Sequence, residues 1–223
     1  ALKNTVIYWI TGVILILALG LLISGLLNYN RLRGKAFFKS ATYLPNICAV
    51  IAMGIIFSML FEKNTGLINE VIFAMGGNKV DWLTGTRFSK IPVIALNVWR
   101  NTPWFTMILL SGLLNISPEY YEAAKVDGAN AFQRFFKITL PSLSNVMFFC
   151  FITLTADSWK IFNEPFMLQG PGTSNVSLFQ YMYESGFNVF KLGYASSIGC
   201  MLTLILLIVS VIQFIIRMKQ GEV

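Results

Sequence analysis

With 223 residues, 56% of them hydrophobic and only 12% charged, the chain is too apolar for a soluble globule of its size, and its composition points to a membrane. A net charge of +7 does not indicate a nucleic-acid partner, because the basic residues are scattered over loops rather than gathered on one face. Histidine is absent, which removes the commonest general base and metal ligand, and no cysteine cluster replaces it, so the sequence argues against an enzyme and against a metal site.

About 20 apolar residues are needed to cross a hydrocarbon core of about 30 Å. On that basis one all-α integral membrane domain over 1–223 is predicted, with five transmembrane helices near 5–27, 40–61, 91–115, 145–168 and 193–216. Helices are required because backbone polar groups in lipid must be satisfied internally. No initiator methionine, charged n-region or cleavage site opens the chain, and Ala1 stands almost at the start of the first span. The loop after that span holds Arg31, Arg33, Lys35 and Lys39 with no acid, which the positive-inside rule places in the cytoplasm. Alternation then puts the amino end outside, and both the Glu119–Pro141 loop and the tail with Arg217 and Lys219 inside. The segment from Glu62 to Lys90 runs against this rule, since it carries Lys63, Lys79, Arg87 and Lys90 outside, accompanied by Glu62, Glu70 and Asp81. Within it, Gly76-Gly77-Asn78-Lys79 lacks the GxxxxGK[ST] spacing that cradles nucleotide phosphates. Cys48, Cys150 and Cys200 all fall within or beside spans and read as small buried hydrophobes rather than a disulfide framework.

The third span carries the densest polar set. Asn97, Arg100, Asn101 and Trp104 recur at i, i+3, i+4 and i+7, which places two amides, a guanidinium and an indole on one helical face. Asp157, Ser158 and Lys160 form a second polar cluster in the fourth span, with Asn163 and Glu164 toward its outer end. Ionisable groups inside spans are costly, so a path for a polar solute between these faces is one reading. The other is a buried Arg100–Asp157 ion pair with Asn97 and Asn101 bridging helices.

Between the third and fourth spans lies a polar insert, EYYEAAKVDGANAFQRFFKITLP. Ser117 suits an N-cap, Pro118 the first helical position, and Glu119 and Glu122 the positive end of a helix dipole. Asp127-Gly128 is a turn signal that ends this helix, after which a second short helix follows. Phe132, Phe135 and Phe136 are spaced to give the second helix an apolar face against the bundle, while Ala123 and Ala124 allow a partner's backbone close approach. By pattern alone an ordinary amphipathic connector explains the segment equally well.

The pieces Glu122-Ala123-Ala124, Asp127-Gly128, Ile138, Leu140 and Pro141 resemble the EAA loop of binding-protein-dependent ABC import permeases, which have a MetI-like fold. The run Asn97-Val98-Trp99-Arg100-Asn101-Thr102-Pro103-Trp104 is similar to the corresponding helix of the sugar-type members, the maltose and glycerol-phosphate permeases. Gly66-Leu67-Ile68-Asn69, Asp81-Trp82-Leu83, Gly170-Pro171-Gly172 and Gly193-Tyr194-Ala195 agree with that subfamily. The resemblance implies a permease in a bacterial or archaeal cytoplasmic membrane, a further helix before this core, and an elbow in which Glu122, Ala123, Ala124, Asp127, Gly128, Ile138, Leu140 and Pro141 couple to an ATPase. It also implies a second, related permease, two ATPase subunits that bind ATP and Mg, and an extracellular solute-binding protein docked on the outer loops. Asn97, Arg100, Asn101, Trp104, Asp157 and Ser158 would then line the substrate path. Their amides, hydroxyl and ring suit a carbohydrate, while Arg100 would also suit an anionic sugar. A non-sugar solute and an ion-coupled secondary transporter with an Arg100–Asp157 relay are the alternatives. Membrane lipid is the remaining partner and nucleic acid is not one.

Overall fold

The computed structural model describes residues 1–29, 34–219 and 221, and all regular elements among them are helical. Arg31 and Arg33 of the predicted cytoplasmic loop lie outside the described residues. The chain opens with α1 (Leu2–Asn28), followed by α2 (Lys35–Ile47), α3 (Val50–Leu60) and α4 (Leu67–Ala74). The long α5 (Lys90–Leu114) leads into the elbow helices α6 (Pro118–Val126) and α7 (Ala131–Arg134). A π turn (Phe135–Thr139) and α8 (Leu140–Ser142) join these to α9 (Ser144–Trp159) and α10 (Asn163–Met167). Helix α11 (Leu178–Tyr183), a second π turn (Glu184–Asn188) and α12 (Leu192–Lys219) complete the fold.

By length and apolarity, α1 and α12 each suffice to cross a membrane, and two bent pairs could each serve as a further span. The predicted second span is not one straight helix: α2 and α3 meet at 92°. Pro45 lies inside α2 near its end, and Cys48 and Ala49 then run extended, which releases the backbone from the helical ladder. The predicted fourth span is also broken. A 67° bend separates Ala131–Ser142 from Ser144–Met167, and helix stops at Lys160 before resuming at Asn163. Helix α5 has 25 residues, about 37 Å of rise, but Asn97, Arg100 and Asn101 interrupt its apolar middle.

Helix α1 packs along α5 and α9, and this trio forms the centre of the bundle around Val13, Ile16, Val98, Phe105, Leu109, Cys150 and Leu154. A second core of Tyr8, Val93, Leu96, Ile161 and Leu168 joins α1, α5 and the segment around α10, while α10 also leans on α3. There a Cβ on Gly54 would stand 2.6 Å from the Cβ of Met167, so the two backbones meet at a contact only glycine allows. Helix α12 packs on α11 and α9. Its C-terminal end is latched by Arg217, whose Nη2 donates to Asn145 Oδ1 at 2.7 Å and Ser144 Oγ at 3.2 Å.

The segments 62–90 and 169–177 are organised by buried amides. Asn69 is fully buried; its Nδ2 donates to the carbonyls of Lys63 and Val80, and its Oδ1 accepts from Val80 N and Trp82 Nε1. Asn175 does the same for the 169–177 loop, donating to the carbonyls of Ser89 and Leu168 at 2.8 and 2.9 Å. That loop is tied in turn to α1 through Asn4, which donates to the carbonyls of Thr173 and Val176, and through Tyr8, whose hydroxyl donates to the Asn175 carbonyl. The three cysteines are free, but Cys200 is exposed rather than buried.

Candidate functional site

Two places gather the polar chemistry: a cavity of about 320 Å³ among α1, α5, α9 and α10, and the elbow at the other end of α5. The cavity is lined by Asn97, Arg100, Asn101, Asp157 and Ser158, five of the six residues predicted for a solute path. Trp104, the sixth, is not in the lining and is 48% exposed on the flank of α5. Phe105, one residue on and eight from Asn97, supplies the aromatic wall instead.

Within the cavity the amides are chained. Asn101 Nδ2 donates to Asn97 Oδ1 at 2.7 Å and to the Asn97 carbonyl at 2.9 Å, which fixes both side chains on one turn of α5. Asn97 and Ser158 are buried against α1, where a Cβ on Gly12 would lie 3.2 Å from Asn97 Nδ2 and 3.7 Å from Ser158 Oγ. Gly12 therefore lets α1 approach the polar wall. Its signal in the sequence is the stripe Gly12, Gly20 and Ser24, small residues at helical spacing that favour close helix contact.

The charges do not pair as the sequence suggested. Arg100 Nε lies 3.4 Å from Glu164 Oε1, while Asp157 Oδ1 is 3.5 Å from Lys160 Nζ. The alternative of an Arg100–Asp157 pair is thus replaced by two separate pairs. The break after α9 is the reason, since it turns Glu164 inward to 4% exposure beside Arg100 and leaves Asp157 exposed. Sequence spacing along an unbroken helix could not show this. Lys160, Asn163 and Glu164 add to the polar lining and Ile16, Leu154, Ile161 and Phe162 to the apolar one, so the cavity is walled by amides, a hydroxyl, two aromatic rings, three aliphatic side chains and two ion pairs.

At the elbow, Ser117 Oγ accepts from Glu119 N, Pro118 takes the first helical position, and α6 closes at Asp127. Gly128 sits at φ +77°, in the left-handed region, as Ala129 N returns to the Ala124 carbonyl at 2.8 Å. The second arm starts with a capping box: Gln133 N donates to Asn130 Oδ1 while Asn130 N donates to Gln133 Oε1. The Tyr121 and Thr139 hydroxyls, 2.9 Å apart, hold the two arms together. Glu122, Ala123, Asp127, Gly128 and Pro141 are exposed, and Ala124, Ile138 and Leu140 are half-buried. Of the predicted phenylalanine face only Phe135 meets the bundle, in a recess with Leu21, Leu113 and Leu143. Phe132 is 77% and Phe136 57% exposed, because the π turn shifts the register and buries Thr139 and Leu143 in their place.

Comparison with known proteins gives the family. Residues 16–220 match the model of the binding-protein-dependent transport system inner membrane component. The arabinooligosaccharides transport system permease protein AraP of Halalkalibacterium halodurans is 30% identical, over 100% of this chain and 72% of its own length. The lactose transport system permease protein LacF of Rhizobium radiobacter is 31% identical over 96% of this chain and 74% of its own. The trehalose/maltose transport system permease protein MalF of Thermococcus litoralis is 33% identical over 98% of this chain and 72% of its own. Among solved structures, a bacterial ABC transporter that imports the acidic polysaccharide alginate superposes with a TM-score of 0.85 at 20% identity, over 98% of this chain and 78% of that one. With that helical architecture and that match over most of its length, the chain belongs to the family of binding-protein-dependent transport system inner membrane components.

Proposed function

We propose that this chain is the membrane-spanning subunit of an ATP-driven importer and provides the path for a carbohydrate. The observation that carries this reading is the cavity wall, where Asn97, Asn101 and Ser158 offer hydrogen-bonding groups for hydroxyls and Phe105 a face for the apolar side of a sugar ring. The permeases it resembles in sequence are named for arabinooligosaccharides, lactose, and trehalose and maltose. Because Arg100 faces Glu164 and Lys160 faces Asp157, the lining holds no excess charge among its described residues, which favours a neutral sugar over an anionic one.

In this reading α5 and the two bent pairs join α1 and α12 as five spans, with the amino end outside and the elbow and carboxyl end in the cytoplasm. A second, related permease completes the path. Two ATPase subunits bind ATP and Mg, and an extracellular binding protein delivers the sugar to the outer segments. Exposed Glu122 and Ala123 on α6 seat the elbow in an ATPase cleft, while Asp127-Gly128, Ile138, Leu140 and Pro141 set its angle to the bundle. ATPase closure then moves the elbow, and the bundle passes between outward and inward access as a two-state switch.

The test is ATP hydrolysis by the assembled transporter with sugar-loaded binding protein, for wild type and Glu122→Ala. Neutral oligosaccharides are expected to stimulate hydrolysis in wild type and not in the variant. Transport without any ATPase partner would overturn the reading, and stimulation by uronate oligosaccharides alone would overturn its neutral-sugar part.

A further inference from the structure

Where the end of α1 meets the elbow, two cavities adjoin that the transport path does not use. One, of about 520 Å³, is lined by polar groups including Tyr29, Tyr121, Lys125 and Arg134. The other, of about 370 Å³, continues past the same Tyr29, Tyr121 and Arg134 into an apolar recess of Leu21, Leu113, Phe135 and Leu143. Arg134 stands in the wall common to both. Its Nε is buried without an acceptor, and its side chain forms no hydrogen bond or ion pair with any described residue. Among the described residues of the polar lining Glu122 is the one carboxylate, against the two cations Lys125 and Arg134, so these leave a positive charge. A buried donor without a partner is costly, and an anion would supply the missing acceptor.

We propose that these joined cavities hold an anionic phospholipid, its phosphate on Arg134 and Lys125 and one acyl chain in the recess toward Leu113 and Leu143. The level is right for it: the site lies at the last turn of α1, beside Asn28, and at the last turn of α5, beside Leu114, where apolar helix gives way to polar connections. Juxtamembrane lysines and arginines attract anionic headgroups at such a boundary. A soluble phosphate would account for the cations but not for the apolar recess that opens from them. The proposal needs only that α1 and α5 stand in a bilayer and is independent of which solute is transported. Its consequence is that the elbow is braced against the membrane by a lipid, so the stiffness of the lever depends on leaflet composition.

The experiment is native mass spectrometry of the assembled transporter in detergent supplemented with dioleoyl phosphatidylglycerol, dioleoyl phosphatidylcholine or inorganic phosphate. Wild type is expected to retain phosphatidylglycerol in preference to phosphatidylcholine, with retention about tenfold weaker in Arg134→Gln. Gly25 lines both cavities, and nothing lies within 4 Å of where its Cβ would stand, so Gly25→Leu starts into open space and takes up room in the recess. It is expected to lower retention of phosphatidylglycerol with every charge intact. Unchanged retention in both variants, each still assembled by size-exclusion chromatography, would overturn the site. Displacement of phosphatidylglycerol by millimolar inorganic phosphate, or loss in Arg134→Gln but not in Gly25→Leu, would overturn the lipid as its occupant.

Discussion

The guanidinium of Arg100 and the carboxylate of Glu164 meet at 3.4 Å across the cavity that both line, joining the polar middle of α5 to the short helix that follows the break in the fourth run. Removing one partner of a buried pair leaves the other charge uncompensated, at a cost of about 3–5 kcal/mol. Here the cost is smaller, because the Arg100 side chain is 20% exposed and water screens it. Glu164→Leu is therefore expected to lower the unfolding temperature of the purified complex more than the double variant Arg100→Met, Glu164→Leu. Thermal scans of the four species check this, and strictly additive losses would show that the pair is not coupled.

Gly12 sits against the polar wall, so its substitution reports on the cavity without altering any polar group. Gly12→Val would push atoms toward Asn97 Nδ2 and Ser158 Oγ, already within 3.2 and 3.7 Å of a Cβ. Sugar-stimulated hydrolysis is expected to fall at least about tenfold, the effect of an interaction worth about 1.4 kcal/mol, while basal hydrolysis stays within twofold. Trp104→Ala, outside the lining, is expected to leave the sugar concentration for half-maximal stimulation unchanged.

The left-handed turn at Gly128 makes a different prediction. A β-branched residue at φ +77° is strained by about 1–2 kcal/mol, and relief requires the two elbow arms to reorient. Gly128→Val is expected to uncouple sugar from ATP hydrolysis, whereas Gly128→Asn, which tolerates this region, retains most of the response. Equal stimulation in wild type and Gly128→Val would rule out a fixed elbow angle.

Asn69 fastens the segment between α3 and α5, so Asn69→Ala is expected to expose residues 62–82 to protease while the apolar helices stay protected, as limited proteolysis with peptide mapping would read. The same segment responds to acid. Hydrogen bonds from Thr65 hold Glu62 below the ordinary carboxylate range, and those from Thr84, helped by Lys63, do so for Asp81. A depressed carboxylate contributes stability above its unfolded pKa, and that contribution is lost as pH falls through its folded value. The segment is therefore expected to hold at pH 6 and to loosen as pH drops below about 4, with the fluorescence of Trp82 as readout.

The elbow was legible because its signals are local. Ser117, Pro118 and Asp127-Gly128 act within one or two turns, and each stands where its chemistry required. The lining was legible from helical spacing on α5, but its pairing was not, since Glu164 reaches Arg100 only through a break that Lys160 and Phe162 make outside helical geometry. Pro45 was a visible clue to the bend between α2 and α3, masked by the apolar run around it. The π turn had no such clue. It leaves Phe132 and Phe136 off the bundle while Phe135 stays against it, and neither composition nor periodicity encodes that shift.

The hydrogen bonds from Asn4 to the carbonyls of Thr173 and Val176 also bear on how the chain is made. At about 5–20 residues per second, a ribosome needs roughly 10–30 s after Asn4 emerges before those acceptors exist. During that interval α1 rests in the bilayer on its apolarity, with the amide at its N-terminal end lacking its final acceptors. Its other partners, α5 and α9, arrive in stages. Quality-control proteases therefore meet α1 before its partners in this bundle are in place, and a substitution that weakens closure of the 169–177 loop would reduce the amount of protein in the membrane before it changed the activity of any finished transporter.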